Sequence, residues 1–341
     1  MKNPVRHITF RNIIFLFLFF SLPASAQDVQ KPFTIILLPD TQDCIARKSE
    51  VFASQIDWIL NNIAPLNIVQ VIHLGDVTDG NSEKEWNAAA NIMSRLDGKV
   101  PYSIAAGNHD LDHRSPRDPV LYNRFFPVTD FEKKEGWGGT YMPGHLENSY
   151  SFFNAGGKRY MVLTLEFGPR AEVVYWAHAL VKRHPDCEVI INTHCFVYDD
   201  NTRVDRHDRW NPHGYSWIDS SPAGSTKNAH DGDELWKALV YNNPNIFLVV
   251  SGHVKGSGTG RLVSRGISGT PIFQLLANYQ YGVTGTGGGT TGYLRILTFD
   301  PAKKRVTVRT WSPYLDRFNL SPSHEFGMDL PAGTFFSVEG K

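Results

Sequence analysis

The sequence predicts an α/β protein in which a second β-sheet packs on the first. Strand-like and helix-like runs alternate through the first half of the chain, and strand-like runs with few helices fill the second half. A third observation concerns function: five short polar fragments each stand where an apolar strand-like run ends.

The elements follow in order. Phe33 to Leu38 is an apolar run of strand length, and Ser49 to Ala64 has helical spacing through Phe52, Ile56, Ile59 and Leu60. Ile68 to Leu74 reads as the next strand. Ser82-Glu83-Lys84-Glu85 is a capping box that opens a helix to Leu96, and Tyr102 to Ala106 is a third strand. Later strands are expected at Ser149 to Phe153, Tyr160 to Leu165, Val189 to Thr193, Ile246 to Ser251, Ile272 to Leu276, Tyr293 to Phe299 and Val306 to Trp311, with a helix from Arg170 to Arg183 among them. Two long segments, 111–148 and 196–232, carry no such pattern. Structureless loops of that length are usually functional, and both leave from polar fragments, so both are expected to overhang the site. The Gly/Thr-rich stretch Gly282 to Gly292 lacks the Gly-Lys-Ser/Thr ending of a phosphate-binding loop and reads as a flexible turn or lid.

At the N-terminus Lys2, Arg6 and Arg11 precede an apolar run from Ile13 to Leu22, followed by Ala24-Ser25-Ala26. This is the pattern of a secretory signal peptide over 1–26; the alternative, a membrane anchor, needs about 20 apolar residues. The chain is therefore expected to be exported, to the periplasm or beyond, as a single domain over 27–341 with no membrane span in the mature form. Removing a segment with three Lys or Arg and no acid leaves 31 basic against 34 acidic residues, a formal charge of −3. That balance argues against a broad nucleic-acid surface. Cys44, Cys187 and Cys195 are too few to staple the fold, and at most one bridge is expected.

The five fragments are Pro39-Asp40-Thr41-Gln42, Gly75-Asp76-Val77-Thr78-Asp79, Gly107-Asn108-His109-Asp110, Asn192-Thr193-His194 and Gly252-His253-Val254-Lys255-Gly256. In open α/β sheets ligands sit beyond the carboxyl ends of the strands. Carboxylates, an amide oxygen and imidazoles gathered there would hold two hard or borderline cations, the equipment of metal-assisted hydrolysis. Singly, each has an ordinary reading. An Asp at a strand end is often a turn residue, Gly-Asp is a common turn, Asp79 would serve as a helix cap, and Gln42 as a loop hydrogen-bonder. Gly107-Asn108-His109-Asp110 is the most specific of the set.

In order and residue type these fragments resemble the calcineurin-like metallophosphoesterase superfamily, whose motifs run D-x-H, G-D-x-x-D, G-N-H-(D/E), a lone His and G-H-x-H. The resemblance spans Thr34 to Gly256. It implies a four-layer αββα sandwich, two sheets flanked by helices, and two divalent ions drawn from Mn, Fe, Zn or Mg. Asp40 and Gln42 would bind the first ion, Asp76 would bridge both, and Asn108, His194 and His253 would bind the second. His109, oriented by Asp79, would contact the phosphoryl oxygen or protonate the leaving oxygen, with a metal-bridging hydroxide as nucleophile and no covalent protein intermediate. Asp79 rather than Tyr closes the Gly-Asp motif, so the tyrosinate-bound ferric ion of the purple acid phosphatase variant is not expected.

Two positions depart from the pattern: Gln42 replaces the first His and Lys255 the last. An amide oxygen is a neutral, weaker ligand than imidazole, and an ammonium group has no lone pair to give. The first ion is then held weakly by Asp40, Gln42, Asp76 and water, or is absent, or Lys255 lends its charge to a substrate phosphate. A weak, exchangeable first ion with Lys255 over the phosphate is the expectation. Asn278 or Gln280 could supply the missing oxygen or merely shape the strand end, and His145 could reach the site from the first long loop. In the second, Arg203 and Arg206 beside Trp210 and Tyr215 offer phosphate pairing and a stacking face, or simply a solvated loop. The expected function is an exported metal-dependent phosphoesterase acting on a small phosphorylated substrate, a phosphodiester by preference. The alternatives are a phosphomonoesterase or nucleotidase, and a non-catalytic secreted glycan- or nucleotide-binding protein with a degenerate metal site.

Overall fold

The structure is a computed structural model that describes residues 31–112, 119–215, 229–280, 282–283 and 290–330. The segment 1–26 read as a signal peptide lies outside the described residues, as does most of Gly282 to Gly292.

Fourteen strands are described: β1 Phe33–Leu38, β2 Ile68–His73, β3 Tyr102–Ile104, β4 Trp137–Thr140, β5 Ser149–Ala155, β6 Lys158–Leu165, β7 Cys187–Thr193, β8 Ile246–Ser251, β9 Thr259–Arg265, β10 Pro271–Ala277, β11 Leu294–Asp300, β12 Arg305–Ser312, β13 Arg317–Asn319 and β14 Phe326–Asp329. They form two mixed sheets of seven strands each. One runs β13-β12-β11-β1-β2-β3 with β14 on β12, the other β4-β5-β6-β7-β8-β10-β9. In the first sheet β1, β2 and β3 are parallel; in the second β6, β7, β8 and β10 are parallel. The remaining strands pair antiparallel around these cores.

The apolar runs are continuous because both faces of the central strands are covered. Ile36 and Leu38 of β1 face the helices, packing with Phe52, Ile56 and Ile59 of the helix Ser49–Asn62 and with Trp86 of the helix Glu83–Met93. Ile35 and Leu37, one residue out of phase, face the other sheet with Tyr160, Val162, Ile190, Leu248 and Val250. On the far side Leu163, Val189 and Ile191 meet Val173, Ala177 and Leu180 of the helix Ala171–Arg183. Three apolar interfaces between four layers give the αββα sandwich. Aromatic stacking tightens the middle one: Phe33 on Phe299 and Phe153 on Tyr160, each with ring centroids 4.8 Å apart.

Local chemistry sets the element ends. Ser82 Oγ accepts from Glu85 N–H and the Glu85 carboxylate accepts from Ser82 N–H, the reciprocal cap that starts the helix Glu83–Met93. Several elements depart from expectation, among them the short strands β13 and β14 at the C-terminal end of the first sheet. The first long loop is not structureless: it holds helices Val120–Phe125 and Val128–Phe131 and strand β4. Pro119 and Pro127 stand at the N-caps, and Tyr122 and Phe126 bury against Trp86, contacts too short in period to register as a pattern. A short helix, Gln42–Arg47, precedes the one expected at Ser49. Strand β9 is unheralded because Arg261, Val263 and Arg265 turn outward while only the other face pairs with the core. The helix Gly232–Leu235, continued by a π-helical turn Trp236–Val240, closes the second loop. All three cysteines are free and buried.

Candidate metal centre

The strands β1, β2 and β3 of one sheet and β7 and β8 of the other release their carboxyl ends toward a common edge, and the five polar fragments follow them. Two backbone strains mark the place. Asp76 and His253 sit at φ 48° and 69°, a left-handed conformation costing about 1–3 kcal/mol for a side-chain-bearing residue. Gly75, at φ 99°, lets His194 close in: a Cβ there would stand 2.6 Å from His194 Nδ1. A Cβ on Gly107 would likewise collide with the Asp76 carboxylate.

Asp40 crosses from the first sheet to the second. Its carboxylate accepts the His253 N–H (3.1 Å to Oδ2) and the Gln280 side-chain Nε2 (3.0 Å). Asp76 Oδ1 accepts the His109 N–H at 2.9 Å, and its Oδ2 faces His194 Nε2 at 3.1 Å. Metal-ligating atoms of Asp76, His194 and His253 all lie within 4.8 Å of one another.

Carbonyl acceptors fix which ring nitrogens remain available. His194 Nδ1 donates to Leu74 O at 2.7 Å, which turns Nε2 toward Asp76. His253 Nε2 donates to Trp210 O at 2.9 Å, which leaves Nδ1 as its lone pair. Burial holds His253 neutral, pushing it down to about 3, with His194 adding to the effect. Burial pushes Asp40 up to about 7, with Asp76 adding and His194 opposing. For His194 burial disfavours the cation, but Asp76 and Asp40 outweigh it and raise the imidazole to about 9.

Whether the residues suit a metal is tested by polar atoms left without partners. Asn108 Oδ1 is buried with no hydrogen-bond donor. Gln42 donates Nε2 to Asp79 Oδ1 at 3.1 Å, and its Oε1 is likewise buried and without a donor. A buried acceptor left so costs about 1–3 kcal/mol, and cation binding removes that cost. The donor set of carboxylate, amide and imidazole fits divalent ions.

His109 is half-exposed beside this group. Its Nδ1 donates to the Asp79 backbone carbonyl at 2.7 Å, while the Asp79 carboxylate stands farther off at 3.6 Å. Asp79 orients the ring mainly through its backbone, and its carboxylate holds Gln42. A cleft of about 460 Å³ opens here, lined by Asp79, His109, Asp112 and Leu121 among others.

Arg203 and Arg206, expected to bind substrate, are placed otherwise. Arg203 Nη1 donates to Ser264 Oγ (3.0 Å) and Gln274 Oε1 (3.1 Å), and its Nε pairs with Asp233. Arg206 pairs with Glu234 at 2.7 Å. Both guanidiniums anchor the second long loop instead of reaching the strand-end cluster, because these partners compete for them. His145 is held by Glu147 and Asn123 of its own loop. Lys255, half-buried, makes no side-chain hydrogen bond or ion pair among the described residues.

Several contributors play parts that the sequence did not assign to them. Asp110, fully buried, accepts the N–H groups of Val77, Thr78 and Gly107 and so pins two motif loops together. His73 Nε2 bonds Thr41 Oγ1 at 3.0 Å beneath the first fragment. Trp210 and Tyr215 reach over His253, the Tyr215 hydroxyl 3.3 Å from its Nε2. Only the fourth place of Asp110 in its fragment, an acid in the motif it resembles, could have drawn notice.

A profile of the calcineurin-like phosphoesterase family matches residues 33–256. The uncharacterized protein YvnB of Bacillus subtilis (strain 168) is 31% identical over 302 residues, 86% of this chain. The chain spans only 21% of that relative's length. Among solved structures, a purple acid phosphatase from yellow lupin (Lupinus luteus) seeds shares the fold with a TM-score of 0.50 at 13% identity, over 88% of this chain and 54% of that one. The anchor protein of the inner membrane complex of Plasmodium reaches 0.49 at 12% identity, over 90% and 92% of the two chains.

Proposed function

The chain belongs to the calcineurin-like phosphoesterase family of metal-dependent phosphoric ester hydrolases, and on that premise we propose that it is an exported phosphodiesterase acting on a small phosphorylated substrate. The observation that carries this is the convergence, from both sheets onto one edge, of two carboxylates, two imidazoles oriented by backbone carbonyls and amide oxygens without protein donors. Divalent ions held by Asp40, Gln42, Asp76, Asn108, His194 and His253 would supply Lewis acidity and a water of lowered pKa.

The chain's own groups do the rest. His109 has its Nδ1 tied to Asp79 O, which leaves Nε2 for a substrate oxygen. Burial disfavours its cation, but Asp76 and Asp79 outweigh that and raise its pKa, which favours the protonated ring from which a proton can be given. It steadies charge on the phosphoryl oxygen or delivers that proton to the leaving oxygen. Lys255 adds a second cation on the fragment that follows β8. With Arg203 and Arg206 committed to Asp233 and Glu234, these two are the cationic side chains that the fragments offer a phosphate. Beyond the charge of the ions themselves, few protein cations stand ready for the second negative charge of a monoester, which is the ground for preferring a diester.

The basic, apolar and small-residue sequence at 1–26 supports export. N-terminal sequencing of protein recovered outside the cytoplasm should begin after Ala26; a start at Met1 would refute cleavage. For the activity, bis-p-nitrophenyl phosphate should be hydrolysed faster than p-nitrophenyl phosphate in the presence of Mn²⁺, and a chelator should abolish both. The reverse preference would make the protein a phosphomonoesterase. A metal-loaded protein that cleaves neither, nor any nucleotide ester, would instead be a binding protein.

A further inference from the structure

Gln280 lies three residues beyond the end of β10, and β10 is the parallel neighbour of β8. Adjacent strands therefore deliver His253 and Gln280 to the same edge. The turn between them is set by Asn278, whose Oδ1 accepts the Gln280 N–H at 3.1 Å. The Gln280 side chain is 3% exposed, and its Nε2 donates to Asp40 Oδ2 at 3.0 Å. That bond fixes the amide, because the opposite orientation would set two acceptor oxygens against each other. Its Oε1 is consequently buried with no donor.

Gln42 repeats this arrangement on the other side: Nε2 donates to a carboxylate, Asp79, and Oε1 has no partner. Its backbone N–H is bonded to the carbonyl of Asp76 at 3.0 Å, so it is rigidly placed beside the central carboxylate. Two amide side chains with buried, donorless oxygens thus stand beside this centre, Gln280 bonded to Asp40 and Gln42 held next to Asp76. Lys255 meanwhile occupies the place where an imidazole would have been needed and cannot donate a lone pair.

We propose that Gln280 Oε1 is the ligand that stands in for the missing imidazole, so that the first ion is held by oxygen atoms alone, from Asp40, Gln42, Asp76 and Gln280. An all-oxygen set favours hard cations such as Mg²⁺ or Mn²⁺, while the imidazoles of His194 and His253 suit borderline ions at the second position. The two positions should then differ in metal preference as well as affinity. This inference rests on the reading of the cluster as the metal centre of a hydrolase.

The test is Mn²⁺ binding by the full chain, followed by metal analysis after dialysis and by electron paramagnetic resonance, with unfolding of the metal-free proteins as a check on folding. Wild type is expected to bind two Mn²⁺ with an exchange-coupled signal. Gln280→Met should weaken one of the two sites on the order of 10–100-fold and replace the coupled signal by that of an isolated ion. Gln280→Glu, which keeps a ligand oxygen and loses the donor to Asp40, should retain both ions, as should Lys255→Met. If Gln280→Met misfolds, the Gln280→Glu comparison decides. Two ions bound as tightly by Gln280→Met as by wild type would overturn the proposal and leave the hydrolase reading intact. Loss of the first ion in Gln280→Glu would also overturn it, since Gln280 would then act only by positioning Asp40. A wild-type protein that binds no metal would remove the hydrolase reading itself.

Discussion

His109 and Asn108 are adjacent in sequence yet have separable tasks. Asn108 carries a buried, donorless oxygen, whereas the half-exposed His109 has its Nδ1 anchored on Asp79. His109→Gln should lower kcat on the order of 10²–10⁴-fold while metal content stays at the wild-type value. Metal analysis beside steady-state kinetics checks this, and a parallel loss of metal would show that His109 is a ligand after all. Asn108→Ala should do the opposite in order of cause, losing an ion first and activity with it. The strained φ values of Asp76 and His253 belong to the same scale. Ordinary turns do not hold such residues there, and the surrounding bonds from Thr41, Gln42 and Asp40 keep them in place.

Loops are where the elements meet. Asp110 joins the fragment after β2 to the fragment after β3 through three backbone N–H groups and the Thr78 hydroxyl. Asp110→Ala would orphan these buried donors and should destabilise the fold by about 2–4 kcal/mol, measured by denaturant unfolding of the metal-free protein. The second long loop depends on a titrating anchor. His213 bonds Glu234 at 2.9 Å and lies 3.5 Å from Asp231, and its pKa is raised, chiefly by the Asp231 bond against the opposing effect of burial. A raised folded-state value means that the stabilisation is fully present below the ordinary 6.5 and is lost as pH rises through the raised value. Protection from hydrogen exchange across 206–215, taken relative to the intrinsic rate at each pH, should fall over that window, and in His213→Ala it should be the same on both sides of it.

The centre joins two sheets. Asp40, Gln42, Asp76 and Asn108 come from the first, His194 and His253 from the second, and the carboxylate of Asp40 already bonds across to His253 and Gln280. Ions bound there stabilise only the folded arrangement, by about 2.7 kcal/mol at a hundredfold excess over the dissociation constant. Mn²⁺ should raise the unfolding temperature and a chelator should return it to the metal-free value; a temperature unmoved by Mn²⁺ would deny the coupling. The interface beneath is largely apolar, and polar groups buried in it pair across it, Asn192 donating to the His73 carbonyl and Arg295 to the Leu276 carbonyl. Ile35→Ala, deleting a fully buried side chain between the sheets, should cost about 2–5 kcal/mol without changing which metals bind.

The sequence by itself determined the alternating core, the strand ends and which side chains stand at them. Apolar runs such as Phe33–Leu38 and Ile246–Ser251 and the capping box at Ser82 are local signals, and each polar fragment directly follows its strand. It did not reveal β9, the helices within 111–148 or the bonds made by Asp110 and Trp210, and for Gln280 it left a ligand oxygen and a structural place both open, because those contacts rest on partners far along the chain. Asp40 and Gln280 are 240 residues apart, and Trp210 and His253 are 43 apart. Arg203 and Arg206 show the converse. Their composition suggested phosphate binding, and the fold gave them Asp233 and Glu234 instead. Residue type fixes what a side chain can donate or accept, but only the packed chain decides which donor meets which acceptor and which buried oxygens remain for a cation.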